Sequence, residues 1–110
     1  MELARIETFV KAEPADMRGA DMLIARNLGA AADGDVDALY NLGVAYSTGS
    51  HGVECDLVEA HKWFNLAASR GHEEASWCRA DISDEMTARE ISEAQRRARE
   101  WLRAGDMRAA

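Results

Sequence analysis

ALYNLGVAYSTGSHGVECDLVEAHKWFNLAASRGHEEA (residues 38–75) is the stretch that decides the fold. Ala38, Leu39, Leu42 and Tyr46 recur at helical spacing and predict a helix over 36–47 with these residues as its buried stripe. Asp35 stands where an N-cap belongs. Thr48-Gly49-Ser50-His51-Gly52 then reads as a turn. A second helix follows over 57–70, with Asp56 and Glu59 at capping-box spacing and Gly71 closing it.

The same signals continue outward. Glu73 and Glu74 favour the N-terminus of a helix over 73–82. Thr87 and Glu90 form another capping box, opening a last helix over about 88–104 that buries Ile91, Ala94, Ala98, Trp101 and Leu102. Upstream, residues 15–32 form a helix with Met17, Ala20, Leu23, Ile24 and Leu28 as apolar positions and Gly34 as its stop. Leu3, Ile6, Phe9 and Val10 predict a short amphipathic helix over 2–12, ended by Pro14. Short links between five or six helices imply antiparallel neighbours.

Self-similarity is the strongest signal. Ala67, Ala68, Gly71 and Ala75 repeat the spacing of Ala30, Ala31, Gly34 and Ala38 at an offset of 37 residues. Ala60 and Trp63 recur as Ala98 and Trp101 at an offset of 38. A period of this length indicates stacked helical hairpins, each unable to bury its apolar face alone. The fold class is therefore all-α, an α-α superhelix or short solenoid. Gly43, Ala60, Ala67 and Ala68 let helix axes approach, and Leu42, Tyr46, Trp63 and Phe64 fill the space between.

From Ala38 to Ala75 the chain resembles a Sel-1-like repeat, a relative of the tetratricopeptide repeat. The resemblance is carried by Ala38, Leu42-Gly43, Tyr46, Gly49, Gly52-Val53, Asp56, Ala60, Trp63-Phe64, Ala67-Ala68, Gly71 and Ala75. The turn holds one extra residue, and Phe64 stands where Tyr is usual. Residues 17–34 resemble the second half of a preceding repeat with Arg26 in place of Trp, and residues 73–104 a degenerate closing repeat with Arg79 and Ala80 in place of Leu-Gly. The resemblance implies a single domain over 1–110: an N-terminal cap and partial repeat (1–34), a full repeat (35–72) and a closing repeat (73–104).

The formal net charge is −7, which argues against a nucleic-acid partner. Residues 87–110 hold 4 acids and 6 bases against 16 acids and 7 bases before them, so an acidic body carries a basic tail. A head-to-tail homo-oligomer is one reading of that asymmetry, a solvated helix face the other. No apolar run is long enough for a signal peptide or a membrane span, so the expected location is cytoplasmic. Cys55 and Cys78 are expected to be thiols.

The residue types that carry chemistry do not assemble into a known pattern. His51, Cys55, His61, His72 and Cys78 match no zinc spacing, and His51 and His61 read as surface positions, so no metal and no cofactor is expected. Cys55 precedes the N-cap Asp56, but Glu54 and Asp56 oppose a thiolate. Arg96, Arg97, Arg99 and Arg103 could face phosphate, yet Glu93 pairs with Arg97 at i,i+4 and Glu100 interrupts the run. Cysteine-rich members of the resembled family are associated with β-lactam binding or hydrolysis, but they rely on a cysteine pair in each repeat, which is missing here.

The resemblance implies a non-enzymatic adaptor, of the kind bacteria use, that holds a protein or peptide on a concave helical face; a self-assembling structural unit or a hydrolase of β-lactam-like substrates are the alternatives. If Ala38, Leu42 and Tyr46 turn inward, then Tyr40, Asn41, Val44 and Ser47 lie toward that face. The 37-residue offset puts Trp77, Cys78 and Asp81 at the matching places one repeat on. Tyr40 and Trp77 would then form an aromatic pair, unless Trp77 fills the core beneath the last helix.

Overall fold

The computed structural model of the chain describes residues 22–109. The helix expected over 2–12, and Met17 and Ala20 of the next, lie outside the described residues. Those described form helices joined by short turns, without strands: α1 over 22–32, α2 Val36–Thr48, α3 Leu57–Ala68, α4 Glu73–Ser83 and α5 Ala88–Ala109. α3 is the hub, with α2, α4 and α5 all packed on it and α4 also touching α2.

The repeat is visible in the backbone hydrogen bonds. At the end of α1, Gly34 N–H donates to Ala31 O and Asp35 N–H to Ala30 O, both at 3.0 Å. At the end of α3, Gly71 N–H donates to Ala68 O at 3.0 Å and His72 N–H to Ala67 O at 3.1 Å. These are the same two bonds displaced by 37 residues, and they form the Schellman closure of a helix. Gly34 and Gly71 stand at φ 98° and 93°, where a side chain would be strained. The helix expected to run to residue 70 therefore ends at Ala68.

The caps are partly as expected. Asp35 accepts from Asp37 N–H and Ala38 N–H and starts α2. Thr87 and Glu90 form the full reciprocal box, with Thr87 N–H donating to Glu90 at 2.8 Å and Glu90 N–H to Thr87 Oγ1 at 3.1 Å. The Asp56 box is one-sided. Its carboxylate accepts from Val58 N–H and Glu59 N–H, but its own N–H donates to Tyr46 O at 2.9 Å. That bond joins the two strokes of the hairpin, and Glu59 is released to pair with Lys62 and Arg97.

The core runs through α3. Leu39, Leu42, Ala60, Trp63, Phe64 and Ala67 are buried together with Ala31, Ala75 and Ala98. Trp63 meets Trp101 of α5 edge to face at 4.9 Å between ring centres. Gly43 is required by Phe64, whose Cδ1 and Cε1 would lie 2.5 Å from a β-carbon at residue 43. Arg97 ties α5 to α3 by donating to Glu59 at 2.7 Å and to Glu93 at 2.8 Å.

Three expectations about burial are corrected. Leu102 is 42% exposed rather than buried. Leu23 is exposed rather than core-facing. His61 is no surface residue: it is 3% exposed.

Candidate partner-binding face

The face is built from α2 and α4. His72 starts α4 as its N-cap, its Nδ1 accepting from Ala75 N–H at 3.1 Å, just as Asp35 caps Ala38 one repeat earlier. That role fixes the imidazole against α2. Tyr40 stacks on it, with ring centres 4.4 Å apart and planes 15° from parallel, and leans on Phe64 at 5.8 Å. Burial pushes the Tyr40 hydroxyl above the usual phenol range, helped by the neighbouring Cys78 and Glu74 of α4. His72 was not foreseen in this role, although the 37-residue offset from Asp35 placed it there.

Tyr40 and Trp77 therefore do not pair as expected. Tyr40 is half-buried in the seam between α2 and α4, with His72 and Phe64 as its ring partners. Trp77 is 62% exposed and does not fill the core beneath α5. It lies two residues beyond the fully buried Ala75, about 200° around the helix. Val44 is half-buried against the core, and its carbonyl accepts from Ser47 Oγ at 3.1 Å and Thr48 Oγ1 at 2.8 Å. Asn41 and Asp81 are exposed. Of the six residues expected on this face, Asn41, Trp77 and Asp81 are exposed, while Tyr40, Val44 and Ser47 are partly buried.

The other candidate groups do not converge. His51 is exposed in the turn at φ 58°. Cys55 is exposed, its thiol directed at Ser47 O at 3.5 Å. Among the described residues no group of three or more His, Cys, Asp and Glu is placed to hold a metal ion. Arg96 is spent on Glu93 and Glu100, and Arg97 on Glu93 and Glu59, so neither guanidinium awaits a phosphate. A shallow groove of about 230 Å³ lies beside Ala31, Arg70, Trp101 and Leu102, but Arg70, its one charged side chain among the described residues, already points to Gly34 O at 3.5 Å. Among the described residues no helix is long and apolar enough to cross a membrane.

Residues 36–72, which form the α2–α3 hairpin and the turn after it, match the family model described as Sel1 repeat. Repeats of this family are generally protein-interaction modules and typically non-enzymatic. Neither a curated protein nor a solved structure matches the chain.

Proposed function

We propose that this chain, built around its Sel1 repeat at 36–72, is a non-enzymatic adaptor that presents the α2–α4 face to a protein or peptide partner. The same reading takes residues 1–110 as one domain, with 1–34 and 73–104 as partial repeats on either side of 35–72, working in the cytoplasm of a bacterial cell. Trp77 carries the proposal. A large aromatic left 62% exposed on a helix that packs well on its other side costs solubility unless something covers it. The exposed Asn41 of α2 and Asp81 of α4 offer donors and acceptors to such a partner, and Tyr40 and Val44 are anchored on the core.

The test is affinity capture from the source cells with the wild-type chain and with Trp77→Ala combined with Asn41→Ala. Both side chains are exposed, so the melting temperature should not change. Loss of a captured protein at unchanged stability supports the reading. Equal capture by both forms rejects this face.

A further inference from the structure

The charge on that face is one-sided. α2 contains no Lys or Arg, and the only base in α4, Arg79, is partly buried and donates to Asn65 Oδ1 at 2.7 Å. The exposed ionic groups are Asp37, Glu73, Glu74 and Asp81, all acidic. Glu74, Trp77 and Asp81 fall at i, i+3 and i+7, one stripe along the helix. The exposed indole thus has a carboxylate about one turn before it and another one turn after it. Neither carboxylate is in an ion pair with a described residue. On α5 the opposite holds, for Glu93 and Glu100 are each neutralised by arginine.

We infer that the α2–α4 face docks a cationic segment of a partner protein, with one guanidinium or ammonium seated on Trp77 between Glu74 and Asp81. The inference rests on reading that face as the binding surface. A cation over an indole is attracted by the ring quadrupole, and two flanking carboxylates deepen that attraction. An apolar partner segment would cover Trp77 but strip water from both carboxylates without replacing it. Nucleic acid would be repelled. A second copy of the chain is disfavoured, because a net charge of −7 on each opposes association.

The experiment uses the full chain and two synthetic peptides, one arginine-rich and one with every arginine replaced by glutamate, titrated by calorimetry at low and high salt. The arginine peptide should bind, more weakly as salt rises, and the glutamate peptide should not. Trp77→Ala should weaken binding by about 3- to 30-fold, the range of a cation–π contact. Glu74→Gln with Asp81→Asn should weaken it further. Asp33→Asn with Glu54→Gln removes the same charge elsewhere on the exposed surface and should leave binding nearly unchanged. Equal weakening by the two charge-removing pairs, or none with Trp77→Ala, overturns the inference. If light scattering finds assemblies that Arg99→Ala with Arg103→Ala abolishes, the occupant is a second copy and the inference fails. A captured partner that needs Trp77 but meets it with a neutral or acidic segment overturns the charge argument and leaves the binding face standing.

Discussion

The ring of Phe64 lies against the backbone of Gly43 so closely that a β-carbon there would sit 2.5 Å from Cδ1 and Cε1 and 2.9 Å from Cγ. Phe64 is itself 1% exposed and flanked by Tyr40, so it has no free direction in which to retreat. This contact sets the distance between the two helices of the hairpin.

Gly43→Ala should therefore destabilise the protein by about 1–3 kcal/mol, because overpacking outweighs the gain of about 1 kcal/mol in helix propensity. Gly29, also helical, has no described residue within 4 Å of where a β-carbon would stand. Gly29→Ala should stabilise by up to about 1 kcal/mol. Denaturant unfolding of both variants decides the matter, and a shift of the same sign in the two removes the steric argument.

Trp63 should be the costliest single truncation. It is 2% exposed, touches Trp101 edge-on and carries Lys62 Nζ 4.1 Å from its ring centre. Trp63→Ala should cost about 3–5 kcal/mol. Trp101 is only half-buried, so Trp101→Ala should cost less. The double variant should lose less than the sum by about 0.5–1.5 kcal/mol, the worth of the ring pair. Strict additivity would mean that the two indoles act independently.

His61 makes stability pH-dependent. Burial pushes its imidazole below the ordinary value of 6.5, and Arg79 of α4 pushes the same way. The unfolded chain therefore takes up a proton first as pH falls. The stability contributed by the neutral ring is complete above pH 6.5 and is lost as pH drops through the lower folded-state value. Melting temperatures measured from neutral pH downward should fall across that window in the wild type and fall less in His61→Phe. Parallel curves would show that His61 does not titrate between the two states.

Glu93 should resist acid. Hydrogen bonds from Arg96 and Arg97 hold its carboxyl down at about 2, against an ordinary 4.5. Its contribution to stability is present above pH 4.5 and disappears as pH falls through about 2. Carbon-detected NMR titration should give Glu93 a midpoint far below that of an unpaired carboxylate. Arg96→Ala with Arg97→Ala should return it toward 4.5, and a midpoint that stays low would place the cause elsewhere.

The sequence by itself determined the hairpin and its period. Ala38, Leu42, Ala60, Trp63 and Ala67 are spaced so that only helices bury them together, and Gly34 and Gly71 mark identical closures 37 residues apart. Caps such as Asp35 and Thr87 were legible too, because a cap is a contact between residues two or three apart. Tertiary structure alone decided which face of each helix met which neighbour. Periodicity gives a stripe but not its partner, so it could not tell that His61 is buried, or that Asp56 would give its N–H to Tyr46 instead of closing its own box. Nor could it choose for Trp77. A repeat offset transfers a position along the chain, whereas α4 is rotated about its axis by the packing of Ala75, Cys78 and Ile82 against the core. That rotation hands Tyr40 to His72 and leaves Trp77 in water between two carboxylates.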